Sequence, residues 1–259
     1  TPLHEEMNAE KYRRDASRVI EEIHSRGKLA IVVGGSGLYI RALTHGLASL
    51  PEADPELREQ LNAMTLDELR TRLAEVDSEA AQRIDMKNRR RVVRALEISL
   101  LTGKPASTQR KHRAVPDGVD LSDCGSAPPH SPSAATGVFV FRDREELYAR
   151  INQRVEKMFE DGVIEQIRAV GKVSSTASQM IGFREVRQLL DGKMSISQCI
   201  AAIQQATRRY AKRQLTWFRR QTNFLPLNLS LLSHNEAVKW LLLRALSERG
   251  KVPGIRANE

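Results

Sequence analysis

Between residues 31 and 43 the chain reads IVVGGSGLYIRAL, an apolar run that breaks into Gly34, Gly35, Ser36 and Gly37 before a second apolar stretch. Small residues where a strand gives way to a helix leave backbone N–H groups unshielded, which suits an anion or a polar substrate and serves a tight structural turn equally well. Residues 201–220 add a second kind of chemistry: Arg208, Arg209, Lys212, Arg213, Arg219 and Arg220 occur there without a single acid. On a helical projection these cations fall to one side, with Thr216 among them, and Ile200, Ile203, Tyr210, Ala211, Leu215, Trp217 and Phe218 fall to the other. A solvated face ordinarily mixes signs, because opposite charges four residues apart support a helix and like charges repel. The unmixed face therefore points to an anionic partner, and clustered Lys and Arg suit phosphate backbones.

A second basic cluster, KNRRRVVR, supplies Lys87, Arg89, Arg90, Arg91 and Arg94, while Val92, Val93, Leu96 and Ile98 give the same helix an inward face. Cations at a helix N-terminus oppose its dipole, so they call for a reason other than helix stability. Two basic helices suggest a clamp on a folded RNA or its single-stranded loop. Arg154 is different. It falls at the edge of an apolar stripe formed by Leu147, Ile151, Val155 and Met158, where partial burial of a guanidinium would require an anion. An internal carboxylate and a bound diphosphate meet that need equally.

The chain has 259 residues, 41% of them hydrophobic, which is enough for one large or two smaller packed domains. Its 41 Lys and Arg against 32 Asp and Glu leave a net charge of +9, again favouring a polyanion. Cys124 and Cys199 are too few for a disulfide scaffold or a cysteine zinc site, and the six His residues show no ligand spacing. No run of eighteen apolar residues and no signal-peptide pattern occurs. A reduced, cytoplasmic setting without membrane attachment is expected.

The elements that must position these residues follow from periodicity and caps. The spacing predicts a helix over 8–26 closed by Gly27, then a buried strand over Lys28–Val33 feeding the glycine turn and a further helix, the rhythm of an α/β domain with a parallel sheet. After Leu47 the pattern turns to consecutive helices: one opened by Asp54 and Pro55, one by a Thr65/Glu68 capping box, and one from Asn88 to Thr102 ended by Gly103. Residues 115–136, rich in Pro, Ser, Gly and Ala, read as a flexible linker. GVFVF at 137–141 resumes the sheet, Asp143 caps a helix to about Glu160, and a basic helix runs from about Ser197 to Arg220. The expected organisation is an α/β core beginning at 1–46, an inserted helical domain at 47–114, the linker at 115–136, and the rest of the core with its basic helix at 137–259.

Five segments in order, IVVGGSGLYIRAL, RRRVVRALEI, RINQRVEKMFEDGVIEQI, QMIGFREVRQLLDGK and TRRYAKRQLTWFRR, resemble the tRNA dimethylallyltransferases across roughly residues 8–225. The resemblance implies a P-loop-type α/β core with a helical insert, dimethylallyl diphosphate as donor, a magnesium ion on that diphosphate, and transfer of the dimethylallyl group to N6 of an adenosine in the tRNA anticodon stem-loop. It places Arg154 on the donor diphosphate. It places Ser36, where the family usually has Thr, and Arg58 in contact with tRNA. It also implicates Arg90, Arg91, Val92, Val93 and Arg94; Gln179, Met180, Ile181, Gly182, Phe183 and Arg184; and Lys212, Arg213, Gln214, Leu215, Thr216, Trp217, Phe218 and Arg219 in tRNA binding.

The family's glycine-rich phosphate loop, GxxxxGK followed by Ser or Thr, and the aspartate proposed as general base do not occur in this sequence, so its catalytic residues stay unassigned and its first sheet strands are expected to be missing. The chain is expected to be an incomplete form of a monomeric enzyme. A noncatalytic RNA-binding fragment and an adenylate isopentenyltransferase are the alternatives.

Overall fold

Short polar side chains at helix starts set most of the element boundaries. Asn8 accepts the Lys11 N–H at 2.8 Å and opens α1 (Ala9–Ser25), which gives way at Gly27, held in the left-handed region at φ 66°. Ser36 is the N-cap of α2 (Gly37–His45), and Tyr12 of α1 stacks on Tyr39 of α2 with ring centroids 4.7 Å apart. Asp54 accepts the Leu57 N–H at 2.9 Å ahead of α3 (Pro55–Ala63), and Thr65 with Glu68 forms the reciprocal capping box of α4 (Leu66–Val76). Then come α5 (Ser78–Arg83), α6 (Arg89–Thr102), which starts on Asn88 and ends on Gly103, and α7 (Ala106–Lys111). The computed structural model describes residues 2–47, 50–111, 137–221 and 223–249, so the linker expected at 115–136 and its flanking residues 112–114 lie outside the described residues.

After residue 136 the chain forms β1 (Gly137–Phe141), α8 (Arg144–Glu160) and α9 (Val163–Ala169). A 3-10 turn at Ala177–Gln179, α10 (Phe183–Leu190), α11 (Ile196–Phe218), β2 (Phe224–Asn228) and α12 (His234–Arg249) complete it. β1 and β2 pair in parallel, from Gly137 opposite Phe224 to Phe141 opposite Asn228. The architecture is α/β, mostly helical with a small parallel sheet. It divides into two units, one of Thr1–Gly46 with Gly125–Glu259 and one of Leu47–Cys124. Val155, Val163, Ile167, Phe183, Val186, Cys199 and Ile203 form the core of the first; Leu61, Leu69, Leu73, Val92, Leu96 and Ile98 anchor that of the second.

Two expectations need correction. The buried strand over Lys28–Val33 is not formed: residues 28–36 make no ladder among the described residues, and Ile31 and Val33 are 73% and 89% exposed. An apolar run becomes a buried strand only when neighbouring strands accept its hydrogen bonds and other elements cover its faces, and the described residues do neither. Asp143 does precede α8, but its carboxylate caps no helix N–H; Oδ1 accepts the Asn228 side-chain amide at 3.0 Å and so ties the helix start to the end of β2.

Candidate functional site

In the first unit the glycine turn rests on α11. Gln214 Nε2 donates to the Gly35 carbonyl at 2.8 Å, and the Trp217 ring lies against Gly37, where a Cβ would come within 2.6 Å of Cε2 and 2.9 Å of Cε3. The small residues are therefore demanded first by packing against two side chains of the basic helix. Ser36 supplies its carbonyl to the Ile40 N–H at 3.0 Å, yet its hydroxyl makes no cap hydrogen bond. That leaves a small, half-buried hydroxyl uncommitted at a helix N-terminus, a setting that favours anionic or polar groups.

Along α11, Arg209, Lys212, Arg213, Thr216, Arg219 and Arg220 are exposed, and Arg213 lies 5.6 Å over the Tyr210 ring. Phe218 is buried and stacks on Phe139 at 5.0 Å; Leu215 and Trp217 are half-buried. Arg208 does not belong to the open basic face. Its Nη2 donates to Asn152 Oδ1, its guanidinium lies 5.3 Å over Tyr148, and its Nε is buried without a partner. α8 packs on that side of α11 and half-buries Arg208, something a helical projection of one element cannot register.

Arg154 is exposed on α8 rather than partly buried, and among the described residues it has no ion pair. The internal salt bridge considered for it is thus not made, and the guanidinium is free for an external anion. Residues 179–184 form a turn: Gln179, Met180, Ile181 and Arg184 are exposed, whereas Gly182, at φ 96°, and Phe183 are buried. Glu185 fixes this turn, accepting the Gly182 N–H at 2.9 Å and an Arg184 N–H at 2.8 Å. Burial pushes the Glu185 carboxyl up, but those donors outweigh it and hold the group below the ordinary glutamate value.

In the second unit the basic cluster separates into two kinds of side chain. Lys87, Arg90 and Arg91 are exposed. Arg89 Nη2 instead donates to the Asn62 carbonyl at 2.7 Å, satisfying the end of α3, and Val92 and Val93 are buried in the core, so their side chains are not available to RNA. Arg58 and Arg94 both donate to the carboxylate of buried Glu97, at 2.7 and 2.6 Å. Glu97 was not singled out from the sequence; its signal is a lone acid inside VVRALEISLL, on the face that otherwise carries the core.

Among the described residues no group of three or more His, Cys, Asp or Glu converges on a point, and no helix is long and apolar enough to cross a membrane. A family model described as IPP transferase matches residues 1–221. The tRNA dimethylallyltransferase 1 of Citrifermentans bemidjiense is 42% identical over 223 residues, covering 85% of this chain and 69% of that protein. The tRNA dimethylallyltransferase of Geobacter sulfurreducens is also 42% identical over 223 residues, covering 83% and 67%. The full-length tRNA isopentenylpyrophosphate transferase of Bacillus halodurans aligns with a TM-score of 0.63 at 30% identity, over 97% of this chain and 78% of that one. A eukaryotic dimethylallyltransferase crystallised acting on tRNA shares the fold, with a TM-score of 0.71 at 24% identity over 96% of this chain and 64% of that one. With the family model spanning most of its length and curated relatives at this level of identity, the chain belongs to the IPP transferase family.

Proposed function

We propose that the chain modifies tRNA, transferring a dimethylallyl group from dimethylallyl diphosphate to the N6 amine of an anticodon-loop adenosine. The observation that carries this is the joining of two features on one helix: Gln214 and Trp217 of α11 hold the glycine turn with its unspent Ser36 hydroxyl, and the same helix presents an exposed cationic face. In the proposed reaction N6 attacks the allylic carbon, the carbon–oxygen bond breaks with its electron pair going to the diphosphate, and N6 passes one proton to solvent water. The adenine must leave its stack to reach the donor. Ser36 and the α2 N-terminus would orient the nucleotide, and Arg154 would hold the diphosphate as negative charge grows on it. Magnesium, when present, would neutralise diphosphate charge. The proposed setting is the cytoplasm and the proposed working unit one chain.

The test supplies labelled dimethylallyl diphosphate with either a tRNA transcript or free AMP and follows binding and label together. The expected result is salt-sensitive binding of tRNA and label confined to the anticodon-loop adenosine. Label on AMP instead would make the protein an adenylate prenyltransferase, and tight tRNA binding without label would make this chain an RNA-binding module.

A further inference from the structure

We infer that Glu97 is a positioning residue for RNA, holding the Arg58 and Arg94 guanidinium groups in place for contact with backbone phosphates; the inference rests on the tRNA reading above. Glu97 lies on α6 with its side chain 0% exposed. Its Oε2 accepts from Arg58 Nη2 at 2.7 Å and from Arg94 Nη1 at 2.6 Å, and its Oε1 accepts the Asp54 N–H at 3.1 Å. Arg94 Nη2 donates onward to the Pro51 carbonyl at 2.8 Å. One carboxylate thus ties the middle of α6 to the segment before α3 and to the first turn of α3.

Stability alone is a poor reason for this arrangement. A buried ion pair is often matched or bettered by apolar side chains of the same volume, since desolvation offsets the Coulomb attraction. Two cations also share one anion, which leaves an excess positive charge at the cluster. The arginine side chains remain 42% and 31% exposed, so their outer edges reach solvent although Glu97 does not. A guanidinium has five N–H donors. Glu97 takes one from each arginine and Pro51 a second from Arg94, so donors are left over on two heads whose rotamers are already fixed. Fixing them in advance removes ordering entropy that a free surface arginine loses on binding. Arg90 lies one helical turn before Arg94 and is exposed, as is Arg91, so the fixed heads extend a basic surface.

Charge and positioning make opposite predictions for Glu97→Gln. Removing a negative charge beside the basic surface should tighten RNA binding if net charge is all that matters. Loss of positioning should weaken it, by roughly tenfold to a hundredfold for two charge-assisted contacts, and should flatten the dependence of log affinity on log salt by about one to two units. The measurement is filter binding of an unmodified tRNA transcript to the full chain across a salt series, normalised to the folded fraction from circular dichroism. Arg58→Gln and the Arg58→Gln/Glu97→Gln pair complete the cycle: positioning predicts that Arg58→Gln also flattens the slope and that the double variant loses little beyond Glu97→Gln. Equal or tighter binding per folded molecule by Glu97→Gln overturns the inference. If that variant does not fold, an unchanged slope for Arg58→Gln overturns it instead. A wild-type chain that binds no tRNA overturns the functional reading, and this inference with it.

Discussion

Gly37 and Arg154 show how differently a single position can be tied into the molecule. A Cβ on Gly37 would meet the Trp217 ring at 2.6 and 2.9 Å, so either the ring or the turn packed on it must shift to make room. Gly37→Ala should therefore destabilise by about 1–3 kcal/mol, the usual range for overpacking, read as a lowered urea midpoint with an unchanged slope. An unaltered midpoint would mean that Trp217 swings clear at no cost and that packing does not explain the glycine. Arg154 is the opposite case, exposed and without an ion pair among the described residues. Arg154→Ala should leave the melting temperature where it was while raising the donor KM or lowering kcat, and Arg154→Lys should recover part of the loss, keeping the charge without the two-pronged geometry. A melting temperature that falls while donor kinetics stay normal would return Arg154 to a structural role.

Elements were legible in the sequence where their determinants are local. Asn8, Asp54, the Thr65/Glu68 pair and Asn88 each mark a helix start because a side chain and the N–H it binds lie within one turn. What depends on distant partners was not legible. IVV at 31–33 reads as a strand, yet a strand exists only with a neighbour; Pro226 disguises β2, since proline ordinarily argues against a strand and is tolerated at an edge. Arg208 reads as part of the open basic face until α8 is packed beside it, and Glu97 carries no role of its own in the sequence until Arg58 arrives from α3. The turn before α10 tests a local determinant directly. Glu185 has its pKa lowered on folding, so the stabilisation it provides is present above its unfolded value and fades as pH falls through that value toward the folded one. Glu185→Gln should thus cost about 1–2 kcal/mol at pH 7 and progressively less toward pH 4, measured as urea midpoints of both proteins at each pH. An equal cost at both pH values would show that the carboxylate charge is irrelevant to the turn.

At the scale of the whole molecule, the net charge of +9 supplies a long-range attraction to any polyanion, whereas the exposed row on α11 supplies contacts at fixed places. Salt separates the two. Diffuse attraction between charges more than a Debye length apart is already largely screened near physiological ionic strength, but each phosphate neutralised at close range releases counterions and adds about one unit to the slope of log affinity against log salt. Arg209, Lys212 and Arg219 are all exposed and lie in one sector of the helix, so their joint replacement by Ala should leave the fold intact. If all three reach phosphates, the slope should flatten by about three units and affinity should fall alike for every tRNA sequence tried, because phosphate contacts carry no base information. Replacing three exposed cations on another element of the same unit, Arg14, Arg18 and Arg26 of the α1 region, changes the net charge equally and gives the comparison. Equal flattening by both triples would assign the effect to net charge alone and remove α11 from the RNA-binding surface; flattening confined to the α11 triple would place the phosphates along that helix, beside the turn that carries Ser36.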